Sequence, residues 1–131
     1  ELKEKRDRVE DAICATKAAV KEGIVPGGGI ALLNAAMIIE DKMVGEKVLA
    51  RAILSPFRTI LNNAGIEPKV PEKRGMGINV ISGSIVDMIK EGIIDPLLVT
   101  KSALKNAASV ATTILSTDCV INNVRMNESN R

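Results

Sequence analysis

The sequence predicts a mainly α-helical protein, and three observations support this prediction. Apolar residues recur at helical spacing over several long stretches. Hydrophobic residues make up 46% of the 131 residues, and Phe57 is the only aromatic one, so leucine, isoleucine, valine, alanine and methionine must build the core. Glycine and proline separate the stretches. A chain of this length suits one domain or one large piece of a domain.

Composition and charge exclude several classes of function. The 18 basic and 16 acidic residues are intermixed and give a net charge of +2, so no surface for nucleic acid or a membrane is indicated. The absence of histidine excludes Ser-His and Cys-His catalysis and zinc sites of the Cys/His type. No apolar run is long enough to span a bilayer, and no targeting segment is visible. Cys14 and Cys119 follow no spaced pattern, which predicts reduced thiols in an intracellular protein.

The first 22 residues predict one charged helix that ends at Gly23. Pairs such as Glu4 with Arg8 stand four residues apart and favour a solvated helix. From Val9 onwards an apolar stripe at helical spacing predicts one buried face; its members are Val9, Ala12, Ile13, Thr16 and Val20. The charged start, without an initiator methionine, suggests a piece of a longer chain.

The middle of the sequence predicts two further helices. Residues 30–39 are apolar nearly all round and are expected deep inside the fold. Residues 45–64 predict a second helix, kinked at Pro56 and ended by Gly65. Residues 67–77 then predict an exposed loop.

The last part predicts a short extended piece, two helices and a strand. Residues 78–81 are extended, and Ser84 caps a short helix that runs to Glu91. Pro96 suits the first turn of the longest helix, residues 97–116. Residues 119–124 predict a strand without a partner in this chain, which is expected to pair with another subunit.

Asp11 is the first candidate for chemistry, since it lies mid-helix where the predicted buried face begins. It could pair with Arg8 or Lys17 as an ordinary helix acid. It could instead orient an attacking water at a phosphate site, or bind a metal ion. Spacing alone leaves both interpretations open.

Residues 27–29 are consecutive glycines that follow Pro26. No Gly-Lys-Ser/Thr follows them, so they do not form a P-loop, and they do not read G-x-G-x-x-G after a strand. The triplet is either a plain turn between helices or a surface that a base or sugar approaches closely, because glycine has no side chain.

Asn79 and Asp95 also carry two interpretations each. Asn79 could cap a turn, or its amide could bond to the edge of a base. Asp95 could cap the long helix after it, or accept hydrogen bonds from ribose hydroxyls. Taken together with Asp11 and the glycines, these residues predict one nucleotide site.

Four segments, in order, resemble the group I chaperonins, the GroEL type found in bacteria, mitochondria and plastids. The first is VEDAICATKAAVKEGIVPGGGIAL at residues 9–32, and the second is Ile78-Asn79 after a glycine. The third is DMIKEGIIDP at residues 87–96, and the fourth comprises residues 102–104 and 107–111. The resemblance covers essentially the whole chain, and so long an ordered set is specific.

The resemblance implies that the chain is the C-terminal part of a chaperonin subunit. Residues 1–22 would belong to the intermediate (hinge) domain. Residues 23–131 would form the C-terminal half of the ATP-binding equatorial domain, a helical bundle with a short C-terminal β-strand. Asp11 would be the catalytic aspartate that promotes attack of water on the terminal phosphate. The nucleotide would contact Gly28, Asn79, Val80, Ile81 and Asp95.

The resemblance also implies ATP and Mg²⁺ as cofactors, with K⁺ as a further candidate ion. The parent would be an ATPase that folds other proteins in a double ring, in the bacterial cytoplasm or alternatively the mitochondrial matrix or plastid stroma. Ring neighbours would pair through the C-terminal strand. Unfolded proteins and a co-chaperonin would bind the apical domain, which this chain lacks together with the phosphate-binding loop. The chain alone is therefore expected to hydrolyse ATP negligibly.

Three features depart from the family's pattern. Segments 39–45 and 68–79 are shorter than usual, Val80 and Ile81 are bulkier than the small residues common there, and the Gly/Met-rich tail is absent. Two other functions stay open: a helical scaffold whose glycine triplet is only a turn, and a diverged paralogue without folding activity.

Overall fold

The computed structural model describes residues 1–40 and 42–121. Helices predominate, as the sequence predicts, and the strands are short. In chain order the elements are α1 (Leu2–Glu22), β1 (Ile24–Pro26), α2 (Ile30–Ala36), α3 (Val44–Ala52), α4 (Ser55–Asn63), β2 (Met76–Ile78), β3 (Ile85–Asp87), β4 (Ile94–Pro96) and α5 (Leu97–Leu115). β1 pairs antiparallel with β4, and β2 pairs antiparallel with β3.

The chain forms two compact units, residues 1–100 and 101–131. The first unit holds both sheets, the helices α1 to α4 and the start of α5. Its core joins α2, α4, β2 and the turn after β3, and the buried side chains of this core cluster are Ile30, Leu33, Phe57, Leu61, Ile78 and Met88. Aliphatic residues around one aromatic ring therefore build this core, as the composition predicts.

Phe57 is the side chain on which this core depends most. It is 2% exposed and is the only aromatic residue of the chain. We expect Phe57→Ala to lower the free energy of unfolding by about 3–5 kcal/mol, because removing a buried ring leaves a cavity that the neighbours fill only in part. Chemical denaturation of the full-length protein measures this. Ile60→Ala is the control: Ile60, on the same helix, is 40% exposed, so a loss as large as that of Phe57→Ala would contradict the assignment.

α1 ends at Gly23, as predicted, but the face predicted to be buried is exposed. Gly23 has φ 87° and donates its N–H to the carbonyl of Ala19 at 2.8 Å. Val9 and Val20 of the apolar stripe are 59% and 84% exposed, and no residue of α1 is buried. The half-buried residues are Ala15, Ala18, Ala19 and Glu22, on the other side of the helix. The helix therefore packs through small side chains, which allow close backbone approach.

The predicted helix over residues 45–64 is two helices, α3 and α4, with a break at residues 53–54. Pro56 lies in the first turn of α4. It has no N–H to donate to Ala52, so an uninterrupted helix would lose that hydrogen bond, whereas the first turn of a new helix tolerates proline. Gly65, at φ 70°, follows the end of α4 as predicted.

The predicted short helix after Ser84 is wrong, because residues 85–87 form β3. Ile85 and Val86 are β-branched and pair with Ile78 and Gly77 of β2. Ser84 does not cap a helix; its hydroxyl lies 2.7 Å from the hydroxyl of Ser82 in the loop between the two strands. Residues 88–92 form a turn, and the loop predicted at residues 67–77 is confirmed up to Gly75, beyond which β2 begins.

The long helix is confirmed as α5, with no buried residue. The strand predicted at residues 119–124 is not seen at residues 119–121, which have no regular structure, and residues 122–124 lie outside the described residues. Cys14 and Cys119 are free and exposed, as predicted. Among residues 1–40 and 42–121, no helix is both long and apolar enough to cross a membrane.

Candidate functional site

Asp11 is exposed near the middle of α1. Arg8, one of its two predicted partners, instead pairs with Glu4 at 2.6 Å, one turn earlier. Within the described part of the chain the carboxylate of Asp11 makes no hydrogen bond or ion pair. The local pairing considered for Asp11 is therefore absent, and its oxygens are free to accept hydrogen bonds.

The direction of Asp11 follows from the helical period. Asp11, Ala15, Ala18 and Glu22 stand at i, i+4, i+7 and i+11, which places them on one face of α1. The last three are half-buried, and α1 contacts β4. Asp11 thus lies on the side of α1 that faces the rest of the first unit. It stands twelve residues before Gly23, which is about 18 Å along a helix axis.

The glycine bend, defined as residues 27–29, joins β1 to α2. Gly28 and Gly29 have φ 65° and 78°, values that residues with a side chain rarely adopt. Gly27 donates its N–H to the carbonyl of Ile93 at 2.9 Å, and its own carbonyl accepts the N–H of Ile30 at 3.1 Å. The bend is therefore a defined turn, anchored just before β4.

Two of the three glycines pack against other backbone. A Cβ added at Gly29 would lie 2.7 Å from the amide nitrogen of Phe57, and one added at Gly27 would lie 3.1 Å from the carbonyl oxygen of Ile93. A Cβ at Gly28 would lie 2.9 Å from the methyl carbon of Met88, the end of a flexible side chain. Close approach is thus confirmed at the bend, and the surface approached at Gly27 and Gly29 is this protein's own backbone.

Asn79 organises the loop between β2 and β3. Its Oδ1 accepts the N–H of Ile81 at 2.9 Å, its N–H donates to the carbonyl of Ser84 at 2.9 Å, and its carbonyl accepts the N–H of Gly83 at 2.7 Å. Asn79 therefore caps a turn, as one of its two interpretations predicted. The side chains that follow project outwards, because Val80 is 44% and Ile81 is 93% exposed.

Asp95 lies in β4, opposite Val25 of β1. It does not cap α5, because that helix begins at Leu97 and Asp95 is one residue too early; the N–H of Leu97 donates instead to the carbonyl of Gly23 at 3.1 Å. The side chain is exposed and, in the part of the chain that is described, has no polar partner. The strand pair β1–β4 therefore holds a free carboxylate beside the glycine bend.

The structure brings three of the predicted positions into one block. Gly28 and Gly77 both adjoin Met88, Asn79 follows Gly77 by two residues, and Asp95 follows Ile93, which accepts the hydrogen bond from the bend. Asp11 stands apart from this block along α1. The chain thus places Gly28, Asn79 and Asp95 around the two sheets, with Asp11 on a helix that leads away from them.

Two residues of this block were missed by the sequence analysis. Met88 is buried at the centre of the block, where a helix was predicted. Asp87 shapes the turn after β3, since its Oδ1 accepts the N–H groups of Ile89 and Lys90 at 3.2 and 3.3 Å. An aspartate a few residues before Gly92 is a turn signal that could have been used.

Metal ligands are scattered rather than grouped. Across residues 1–40 and 42–121, no three Asp, Glu, His or Cys side chains lie close enough together to hold a metal ion. Asp11 and Asp95 each offer a single carboxylate. The residues described do not form a magnesium site by themselves, and no step below is derived through a metal bound to them.

Comparison with known proteins identifies the family. A model of the TCP-1/cpn60 chaperonin family matches residues 1–125. The chain belongs to this chaperonin family. A crystal structure of a group III chaperonin in the open state is similar to this chaperonin chain, with a TM-score of 0.72 and 28% sequence identity over 79% of this chain.

The match covers 25% of that group III chain. This chaperonin chain therefore spans about a quarter of the length of the relative it matches. The helix-rich architecture agrees with a piece of a chaperonin equatorial domain. The division into an intermediate segment, 1–22, and an equatorial segment, 23–131, stays a prediction.

Proposed function

We propose that this chain is part of an ATP-hydrolysing chaperonin subunit of group I, which assists the folding of other proteins in a double ring. In this proposal Asp11 is the catalytic carboxylate. Gly28, Asn79, Val80, Ile81 and Asp95 bind the adenine and ribose side of the nucleotide. The assignment to group I rests on the motif at residues 9–32, and neighbouring subunits, unfolded proteins and a co-chaperonin are the partners it implies.

The observation that supports this proposal best is the state of Asp11 in a chain matched to the family over residues 1–125. A carboxylate with no ion pair, on the packing side of a solvated helix, contributes little to the stability of α1. It remains available to accept a hydrogen bond from a water. In the proposed reaction Asp11 orients this water towards the terminal phosphate and takes up its proton.

Asp11 must approach the nucleotide for this role, and α1 offers a way. The helix ends at Gly23, and a Cβ added there would have no atom within 4 Å. We propose that α1 swings about Gly23 and brings Asp11 to the terminal phosphate. Hydrolysis then depends on closure, a common way to gate a reaction.

A scaffold without nucleotide binding is the second candidate, and one observation favours it. The packing of Gly29 on the backbone of Phe57 and of Gly27 on Ile93 accounts for two of the three glycines without a ligand. Titration of the full-length subunit with ATP separates the two functions. The chaperonin proposal requires saturable binding, and a scaffold shows none.

Asp95 provides a test of the ribose contact. We expect Asp95→Ala in the full-length subunit to weaken ATP binding about tenfold, because a hydrogen bond to a charged group contributes roughly 1.5–3 kcal/mol. The loss should be smaller for the 2′,3′-dideoxy analogue, which lacks the ribose hydroxyls. Glu91→Ala is the control, since Glu91 is an exposed acid in the nearby turn. Equal losses for both nucleotides would contradict the ribose contact.

A further inference from the structure

Met88 is held in a defined position from both sides of its backbone. Its N–H donates to the carbonyl of Gly75 at 3.1 Å, and its carbonyl accepts the N–H of Ile93 at 2.8 Å. The first bond ties it to the start of β2, and the second ties it to the residue that accepts the hydrogen bond from Gly27. Its side chain is 2% exposed, so its direction is set by the surrounding core.

The side chain of Met88 fills the space between two glycines. A Cβ added at Gly28 would lie 2.9 Å from Cε of Met88, and a Cβ added at Gly77 would lie 2.6 Å from its Sδ and 2.8 Å from its Cγ. Neither glycine could carry a side chain while Met88 keeps this position. The thioether therefore supports the glycine bend from β2.

We propose that Met88 is a positioning residue that sets the place of the Gly28 backbone for nucleotide binding. The inference rests on the proposed function, in which Gly28 contacts the nucleotide. Gly27 and Gly29 pack on backbone, which cannot yield, whereas Gly28 packs only on the end of this flexible side chain. A change at Met88 therefore reaches Gly28 before it reaches the rest of the bend.

Met88→Ala in the full-length subunit tests this role. We expect the Kd for ATP to rise on the order of tenfold while kcat at saturating ATP changes little, since a misplacement of about 1 Å can cost up to ~100-fold. Leu61→Ala is the matched control, because Leu61 belongs to the same core cluster and is equally buried. It should lower Tm similarly without changing the Kd. Equal changes in Kd for the two variants would overturn the proposal.

Gly77→Ala approaches Met88 from the opposite side and covers the case in which Met88→Ala does not fold. Gly77 has no positive φ, so alanine causes no backbone strain there, and its methyl group would crowd Met88 and the Cγ1 of Ile30. We expect weaker ATP binding from Gly77→Ala alone. Where the double variant folds, its loss should be smaller than the sum of the single losses, because the added methyl partly fills the space that Met88 leaves.

Unchanged ATP binding in Gly77→Ala, or strictly additive losses in a folded double variant, would refute the role of Met88. These outcomes are distinct from failure of the proposed function. A full-length subunit without saturable ATP binding refutes the function and this inference together. A subunit that binds ATP and loses affinity in Asp95→Ala, but keeps it in Met88→Ala and Gly77→Ala, refutes the Met88 role alone.

Discussion

Asp11→Asn in the full-length subunit should lower kcat for ATP hydrolysis by about 100-fold or more, and ATP binding should stay within about twofold of the parent. An amide keeps the size of the carboxylate but cannot accept the proton of the attacking water, and general base catalysis typically contributes 10²–10⁴-fold. The interaction is made mainly in the transition state, so its loss appears in kcat rather than in binding. Single-turnover hydrolysis and equilibrium titration with ATP measure the two quantities separately.

Asp7→Asn is the matched control for this experiment. Asp7 is an exposed aspartate one turn earlier on the same helix. It should leave both quantities unchanged, as should folding of either variant, because Asp11 has no ion pair to lose within the described residues. A parallel fall in binding and hydrolysis, or an equal effect of Asp7→Asn, would contradict the role assigned to Asp11.

Gly29→Ala should be among the most destabilising single changes in the first unit, by about 3–5 kcal/mol. Its φ of 78° costs a residue with a side chain roughly 1–2 kcal/mol. The added Cβ would also lie 2.7 Å from the amide nitrogen and 2.8 Å from the Cα of Phe57, and this backbone cannot move without shifting α4. Crowding of this kind typically costs a further 1–3 kcal/mol. Chemical denaturation of the full-length subunit gives the free energy of unfolding.

Gly65→Ala isolates the second of these two costs. Gly65 has a similar φ of 70°, but a Cβ added there would meet no atom within 4 Å. We expect this variant to lose only the roughly 1–2 kcal/mol of backbone strain. If the two variants were equally destabilised, the packing of the bend against α4 would contribute nothing.

The ends of the long helices could be predicted because they depend on local chemistry. Gly23 and Gly65 take positive φ values just past α1 and α4, which glycine adopts without strain. The break at Pro56 follows from the same local chemistry, but the helical apolar pattern continues across it and suggested a single kinked helix. Local rules thus located the boundary, and the pattern hid its consequence.

The packing face of α1 could not be predicted from hydrophobic periodicity. The apolar stripe through Val9, Ile13 and Val20 has the right spacing but stays exposed, whereas Ala15 and Ala18 pack. Periodicity identifies an amphipathic helix, but which face packs depends on the shape of the neighbouring elements. The short strand β3 was missed for a related reason, since its pairing with β2 is a contact across the loop at residues 79–84.

The candidate residues of the site were identified by type and order, and their surroundings came only from the structure. The hydrogen bonds of Asn79 lie within six residues, so its turn was predictable. The support of Gly28 by Met88 joins residues sixty positions apart, and nothing local marks it. Asp95 was assigned correctly as exposed to bonding partners but wrongly as a helix cap, because β4 continues to Pro96.

The claim on which this account depends is that the glycine bend, the loop at residues 79–84 and β4 serve one nucleotide. Hydrogen exchange of the full-length subunit, with and without ATP, tests it most directly. We predict that ATP slows exchange at residues 27–30, 79–84 and 93–95 together, at one common ATP concentration. Saturable ATP binding that leaves these three segments unprotected would contradict the claim.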